Sequence, residues 1–121
     1  MAISRILVVD DSPTERFFLS ELLVKNGYLV SMAESGEEAV AQAKQTLPDL
    51  IVMDVVMPGM NGYQATRMIT KEEATSHIPV IMCTTKGQET DKVWGMRQGA
   101  KAYLVKPVKP EDLLSQIKAL G

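Results

Sequence analysis

Five short apolar runs alternate with longer amphipathic segments along this chain. The runs cover residues 5–9, 28–33, 50–53, 78–83 and 102–105. Runs this short, rich in Val, Ile, Leu and Met, are typical of buried β-strands. Between them, apolar residues recur at spacings of three and four, which indicates helices. Strands that alternate with helices five times predict a parallel sheet covered by helices on both faces.

Capping signals set the expected limits of the helices. Ser12 with Glu15 and Ser35 with Glu38 have the spacing of capping boxes, and Asn61 is a candidate N-cap. Gly27 and Gly99 follow helical segments at positions where glycine commonly ends a helix. These signals predict a first helix over 13–26 and a second helix that begins at Ser35. A third helix would run from Asn61 to residue 70, a fourth over 89–98 and a fifth over 110–120.

The apolar positions of the first two helices predict which faces are buried. In the first helix we expect an apolar face made of Phe18, Leu19, Leu22 and Leu23. In the second helix it consists of Ala39, Val40 and Ala43. The alternation of five strands with five helices, joined by right-handed crossovers, favours the doubly wound α/β class, in which a five-stranded parallel sheet is covered on both sides.

Composition limits the function. The chain has 121 residues, the size of one domain, and neither a linker nor a repeat interrupts it. Its formal net charge of -2 gives no overall basic field for nucleic acid. The single cysteine excludes a disulfide framework and a cysteine-based zinc site. No apolar stretch suits a signal peptide or a membrane span. We therefore expect one cytoplasmic domain, 1–121, without membrane insertion or nucleic-acid binding.

Polar residues stand where four of the predicted strands end. They are Asp10, Asp11, Asp54, Thr84 and Lys106. Because ligands of open α/β sheets bind at the carboxyl ends of the strands, we expect these side chains to meet in one crevice. Carboxylates crowded together raise one another's pKa unless a cation offsets the repulsion. An all-oxygen ligand set suits a hard ion, and the sequence therefore predicts a Mg²⁺ site.

The remaining strand-end residues fit phosphoryl chemistry. Lys106 offers an ammonium and Thr84 a hydroxyl, the two groups that a phosphoryl oxygen needs. Asp54 is the best candidate nucleophile, because the acidic pair Asp10–Asp11 is available to hold the metal.

The segments "LVVDDSPTE", "LIVMDVVMPGMNGYQ", "IPVIMCTT" and "AYLVKPV" resemble the receiver domain of bacterial two-component response regulators. The resemblance implies a flavodoxin-like (βα)5 fold with strand order 2-1-3-4-5. It also implies that Asp54 is the phosphorylated residue. Mg²⁺ would be bound by Asp11, by Asp54 and by the backbone carbonyl of Val56, while Asp10 would act mainly through a bound water.

The same resemblance assigns a switching role to residues near the fourth and fifth strands. Thr84 would bond the phosphoryl oxygen and draw its loop inward, and Tyr103 would turn with that loop. Lys106 would pair with the phosphoryl group, and the bond before Pro107 would be cis. Two positions that tune phosphoryl lifetime in such domains are occupied here by Val56 and Lys86.

A narrower resemblance concerns the segments "DDSPTE", "NGYQATR" and "TTKGQETDKVWGMRQGA". They are similar to single-domain regulators of type IV pilus, or twitching-motility, chemosensory pathways. This likeness implies a chemotaxis-type sensor histidine kinase as phosphodonor, a downstream protein as target, and no effector domain. Trp94, the only tryptophan, is either a core residue or an anchor for a partner.

Other functions are open to a chain of this pattern. An aspartate-nucleophile phosphatase of the haloacid dehalogenase type needs a second Asp two residues after the nucleophile, where this chain has Val56. A flavodoxin-like cofactor carrier needs donors for a phosphate dianion, where this chain has "DDSPTE". No P-loop motif is present. A receiver that only docks, and a phosphate sink that drains a shared kinase, remain alternatives to a signalling output. In each receiver reading the chain is not an enzyme.

Overall fold

The computed structural model describes residues 2–121, in which five strands alternate with five helices. The strands are β1 (Arg5–Val9), β2 (Leu29–Ala33), β3 (Leu50–Met53), β4 (Val80–Thr84) and β5 (Ala102–Val105). The helices are α1 (Pro13–Lys25), α2 (Gly36–Thr46), α3 (Gly62–Lys71), α4 (Glu89–Arg97) and α5 (Pro110–Leu120).

The strands form one parallel sheet in the order β2-β1-β3-β4-β5. This confirms the doubly wound fold and the strand order that the resemblance implies. The register aligns Val9 of β1 with Met53 of β3, and Met53 with Met82 of β4. The residues that follow β1 and β3 therefore leave the sheet side by side.

The sheet separates two apolar cores, because successive strand residues point to opposite faces. In β3, Ile51 and Met53 pack with α2 and α3. Leu50 and Val52 pack on the other face with residues of α1 and α5. All four side chains are buried, as the central strand of a doubly covered sheet requires.

Strand β4 begins two residues later than expected and includes Thr84. The strand predicted over 78–83 lies at Val80–Thr84. Ile78 is buried in a turn, where its amide donates to the Thr75 carbonyl at 3.0 Å. Pro79 has no amide hydrogen and cannot complete a ladder pair. Every other element matches its expected limits to within one residue.

Helix α1 presents a narrower face to the sheet than its sequence predicts. Leu19 and Leu23 are fully buried and Leu22 is half-buried, but Phe18 remains 47% exposed. The expected burial of Phe18 is therefore wrong. The helix contacts the sheet along a single stripe, and the flank of that stripe faces solvent.

Both of the expected capping boxes are only half-formed. The Ser12 hydroxyl accepts from the Glu15 amide at 3.4 Å, but the Ser12 amide donates to Asp10 rather than to Glu15. Ser35 likewise accepts from the Glu38 amide, while the Glu38 carboxylate accepts from Gln42.

A complete capping box occurs at α3 instead. Asn61 accepts from the Gln64 amide, and the Gln64 side chain accepts from the Asn61 amide, both at 2.9 Å. This box fixes the start of the helix that follows the loop after Asp54. Within residues 2–121, no helix combines the length and the apolar character needed to cross a bilayer.

Candidate functional site

Three carboxylates meet at the carboxyl ends of β1 and β3. Asp10, Asp11 and Asp54 each offer one oxygen, and these oxygens lie within 4.8 Å of one another. The ladder extends one residue beyond each strand, because the Asp10 amide donates to Ala33 and the Asp54 amide donates to Val9. Asp10 and Asp54 are buried, whereas Asp11 is exposed. The register of the sheet thus creates the acidic cluster.

Lys106 supplies the positive charge of the cluster. Its ammonium lies 2.7 Å from a carboxylate oxygen of Asp10 and 3.4 Å from one of Asp54. The residue follows β5, and its amide donates to the Thr84 carbonyl at 2.8 Å. The next peptide bond, Lys106–Pro107, is cis. Lys106 therefore reaches from the end of the edge strand β5 to the acids that follow β1 and β3.

Asp54 has two distinct carboxylate oxygens. Oδ1 accepts from the amides of Val55 at 2.7 Å and Val56 at 3.4 Å, and Oδ2 faces Lys106. Burial raises the pKa of Asp54 above its ordinary value, and the charge of Asp10 acts in the same direction. The charge of Lys106, the Val55 amide and the Thr84 hydroxyl lower this pKa but do not offset the burial.

The pKa of Lys106 is also shifted upward. Burial alone would lower it, but the hydrogen bond to Asp10 and the charges of Asp54 and Asp10 outweigh burial. Lys106 is thus held in its charged form beside carboxylates that repel one another.

The donor set fits a hard divalent cation. Three carboxylates and one ammonium leave a formal charge of -2 (three negative, one positive) around oxygens that lie close together. Among the described residues, the Asp11 carboxylate makes neither a hydrogen bond nor an ion pair, although it belongs to the cluster. Oxygen ligands without His or Cys are those that Mg²⁺ prefers.

The loop after β3 is pressed against Asp54. A Cβ atom added to Gly62 would lie 2.0 Å from the Asp54 carbonyl oxygen, and the Gly62 amide donates to Val55. Val55 and Met57 are buried, but Val56 between them is 54% exposed. The backbone of the loop is therefore fixed at both sides of Val56, while its side chain points outward.

Glu37, which the sequence reading did not single out, also holds this loop. Its carboxylate accepts from the Met60 amide at 3.3 Å. It also lies against Gly59, whose φ of 75° is in the left-handed region. An acid in the first turn of a helix is normally explained by its favourable interaction with the helix dipole. The position of Glu37 in the sequence therefore does not predict its contact with the loop.

Thr84 and Tyr103 meet the loop between β4 and α4, residues 85–88, which we call the β4–α4 loop. Thr84 is fully buried, and its hydroxyl accepts from the Lys86 amide at 3.3 Å. The Tyr103 hydroxyl donates to the Lys86 carbonyl at 2.7 Å. Burial raises the pKa of Tyr103, and so does its contact with Tyr63. Thr84 and Tyr103 thus both form hydrogen bonds with the backbone of Lys86.

Trp94 lies on α4 outside the buried cores and is 49% exposed. This position rules out a fully buried core role for its side chain. Val93 and Met96 on the same helix are each 46% exposed, so α4 carries several accessible apolar side chains.

Comparisons with known proteins agree with this geometry. A family model for the response regulator receiver domain matches residues 6–118. The chain is 59% identical to the protein PilH of Pseudomonas aeruginosa over 117 residues, which cover 97% of each chain. Other relatives, at 39–40% identity, are longer, and the chain spans only 48–51% of their length.

Two solved structures show the same fold. The chemotaxis protein CheY4 of Vibrio cholerae superimposes with a TM-score of 0.91 at 35% identity, over 99% of this chain and 100% of that chain. The receiver domain of the sensor histidine kinase PA1611 of Pseudomonas aeruginosa has a TM-score of 0.90 at 31% identity, over 98% of each chain. In that structure a magnesium ion is coordinated in the active site cleft.

The match of the family model, the identity to PilH and the strand-end cluster all agree with the resemblance read from the sequence. The chain belongs to the response regulator receiver domain family.

Proposed function

We propose that this protein accepts a phosphoryl group from a phosphohistidine of a sensor histidine kinase onto Asp54. The observation that carries the proposal is the position of the Lys106 ammonium, which contacts Asp10 and Asp54 at the ends of β1 and β3. Such a cation, beside a buried carboxylate with a raised pKa, is placed to receive a dianionic group.

The metal ligands would be the carboxylates of Asp11 and Asp54 with the backbone carbonyl of Val56, and Asp10 would act mainly through a bound water. Mg²⁺ bound there would supply neutralisation of the charge on the transferred group. The magnesium in the related PA1611 receiver supports this assignment.

In the transfer, a carboxylate oxygen of Asp54 forms a bond to phosphorus as the bond from phosphorus to the imidazole nitrogen of the donor breaks. The electron pair of the broken bond stays with the imidazole. Lys106 holds the phosphoryl oxygens, and Thr84 donates its hydroxyl to one of them. The product carries roughly -1.5 to -2 additional charge.

The new charge would change the surface formed by α4, β5 and α5. As Thr84 moves toward the phosphoryl group, the β4–α4 loop follows, because the Lys86 amide is bonded to the Thr84 hydroxyl. Tyr103, bonded to the Lys86 carbonyl, turns with it. The result is a shift in population between two conformers, read by a protein partner.

We assign the protein to a pilus motility pathway as a stand-alone cytoplasmic regulator that is not an enzyme in its own right. The 59% identity to PilH over 97% of both chains supports this assignment. The accessible apolar side chains Val93, Trp94 and Met96 on α4 favour a protein-binding output over a pure phosphate sink.

Phosphorylation by a small-molecule phosphodonor tests the proposal. With Mg²⁺ present, intact mass spectrometry should show one added phosphoryl group on the wild-type protein. It should show none on Asp54→Ala, while Asp112→Ala, which removes an exposed acid from α5, behaves like wild type. An unmodified wild-type protein, or a modified Asp54→Ala variant, contradicts the assignment.

A further inference from the structure

Few hydrogen bonds hold the backbone in the middle of residues 54–61, which we call the β3–α3 loop. Over residues 56–60, the Val56 amide donates to Asp54 within the loop, and the Met60 amide donates to Glu37 of α2 at 3.3 Å. Among residues 2–121, the Glu37 carboxylate is the only hydrogen-bond partner of this stretch from outside the loop. One side chain of α2 therefore restrains the part of the chain that contains the proposed metal ligand at Val56.

The carbonyl group of Val56 has no partner within the protein. Among the described residues it accepts no hydrogen bond, whereas the Val55 carbonyl before it accepts from the Gly62 amide at 2.9 Å. A backbone carbonyl oxygen beside carboxylates is a ligand that a hard divalent cation accepts. The direction of this oxygen depends on the peptide plane between Val56 and Met57, and hence on the path of the loop beyond it.

The N-terminus of α2 packs closely against that later part of the loop. A Cβ atom added to Gly36 would lie 2.5 Å from the Met60 carbonyl oxygen, so the two backbones are in direct contact. A carboxylate oxygen of Glu37 lies 3.0 Å from the position of a Cβ atom at Gly59, whose φ is 75°. Met57 is buried in the same core as residues of α2. The hydrogen bond from Met60 to Glu37 thus reinforces a backbone turn that already rests on α2.

We infer that Glu37 is a positioning residue that raises the affinity of the site for Mg²⁺ by holding the β3–α3 loop in the shape that lets the Val56 carbonyl act as a ligand. The Glu37 carboxylate lies outside the cluster of Asp10, Asp11 and Asp54, so it acts through the loop and not as a ligand. This inference rests on the proposed function and deepens it by adding a residue of α2 to the support of the metal site.

The size of the effect follows from the population of the loop that is ready to bind. The apparent Kd of a ligand equals its intrinsic Kd divided by the fraction of protein in the binding-competent state. Without the hydrogen bond to Glu37, the loop samples other arrangements and this fraction falls. Because Glu37 is exposed, its hydrogen bond belongs at the weaker end of the usual range, and Glu37→Ala should weaken Mg²⁺ binding about two- to five-fold.

Two further variants isolate the hydrogen bond from the charge. Glu37→Gln keeps an oxygen that can accept from the Met60 amide but carries no charge, so it should restore most of the wild-type affinity. Glu38→Ala is the matched control, because Glu38 is also an exposed acid in the first turn of α2 and its carboxylate accepts from Gln42 of the same helix. It removes the same charge and the same interaction with the helix dipole, and its Mg²⁺ affinity should be unchanged.

An NMR titration with MgCl₂, followed at the Val56 carbonyl carbon and at the neighbouring amides, gives the Kd for wild type and each variant. Hydrogen exchange without Mg²⁺ examines the loop directly. The amides of Gly59 and Met60 should exchange about two- to five-fold faster in Glu37→Ala than in wild type. The amides of β1 and β3 should keep their wild-type exchange. Faster exchange throughout the chain would mean a general loss of stability and would overturn the positioning role.

The outcomes separate this inference from the proposed function. If wild type binds Mg²⁺ and Glu37→Ala binds it as tightly as Glu38→Ala does, the positioning role is wrong and phosphoryl acceptance at Asp54 stands. Equal weakening in Glu37→Gln and Glu37→Ala would also overturn the positioning role, because the charge would then be responsible. If wild type does not bind Mg²⁺ at these residues, the proposed function fails, and the role of Glu37 in metal affinity fails with it.

Discussion

The Lys106 ammonium lies 2.7 Å from the carboxylate of Asp10, a residue that is 1% exposed. Without a bound cation, Lys106 offsets much of the repulsion between Asp10 and Asp54. Loss of one partner from a buried ion pair leaves the other charge uncompensated. Lys106 is therefore important for folding as well as for the proposed phosphoryl chemistry.

Lys106→Met should destabilise the protein in Mg²⁺-free buffer by about 1–3 kcal/mol, less than for a fully buried pair because the lysine side chain keeps 11% exposure. Urea denaturation with and without Mg²⁺ measures the effect. Added Mg²⁺ should recover part of the loss, because it neutralises the same carboxylates. Lys109→Met, at an exposed lysine, serves as control. Equal stability of Lys106→Met and wild type without Mg²⁺ would contradict this reading.

Asp54→Asn should stabilise the protein at neutral pH without Mg²⁺, by an amount on the order of 1 kcal/mol. Burial raises the pKa of Asp54 in the folded state, so the ionised form is disfavoured relative to the unfolded chain. This cost is present above the raised pKa and disappears as the pH falls below the ordinary value of about 3.9. Asparagine keeps the acceptor for the Val55 amide but carries no charge.

Thermal unfolding of Asp54→Asn and wild type across the pH range measures this difference. The two curves should separate near neutral pH and converge in acid. Asp112→Asn, at an exposed position, should follow wild type throughout. An advantage of Asp54→Asn that grows in acid has the wrong sign for a raised pKa.

Asp11→Asn should weaken Mg²⁺ binding at least about ten-fold, a loss of about 1.4 kcal/mol. Its effect on stability without the ion should stay within about 0.5 kcal/mol, because the Asp11 side chain is exposed. The measurement is the rise of the unfolding midpoint with Mg²⁺ concentration. At a Mg²⁺ concentration 100 times the Kd, binding adds about 2.7 kcal/mol to the free energy of unfolding. Glu21→Gln, an exposed acid of α1, is the control. An unchanged response in Asp11→Asn would place the ion elsewhere.

Gly62→Ala should destabilise the protein by more than about 3 kcal/mol, because its Cβ would lie 2.0 Å from the Asp54 carbonyl oxygen. Gly27→Ala provides the comparison. At Gly27, φ is 92° and a Cβ would meet no atom within 4 Å, so only the backbone cost of about 1 kcal/mol applies. Denaturant midpoints give both values. Similar losses at the two glycines would mean that the contact with Asp54 relaxes at little cost.

The sequence predicted the sheet and the acidic cluster because both follow from periodicity. Strand ends of a parallel sheet meet at one edge, so Asp10, Asp54 and Lys106 could be brought together from pattern alone. Burial of Phe18 could not be judged in this way. Helical spacing shows which side chains share a face, but not how much of that face the sheet covers.

Contacts between elements distant in the chain were also beyond the sequence. Glu37 reaches the Met60 amide from α2, and Tyr63 reaches the Asp91 carbonyl from α3. Each residue type is ordinary at its own position, and each acceptor or donor is a backbone group. The side chain of the partner residue therefore gives no indication of either contact in the sequence. Asp10 shows the same limit, since its bond to the Ser12 amide replaced the expected capping interaction with Glu15.

The exposure of Val56 has a consequence for how such a protein can diverge. Its neighbours Val55 and Met57 are buried, so the backbone beside Asp54 stays in place whatever side chain occupies position 56. Replacement of Val56 therefore alters the immediate surroundings of Asp54, the proposed phosphoacceptor, without disturbing either core. Under the proposed function, reaction kinetics and fold stability can therefore evolve separately at this position, and natural selection can adjust signal duration one residue at a time.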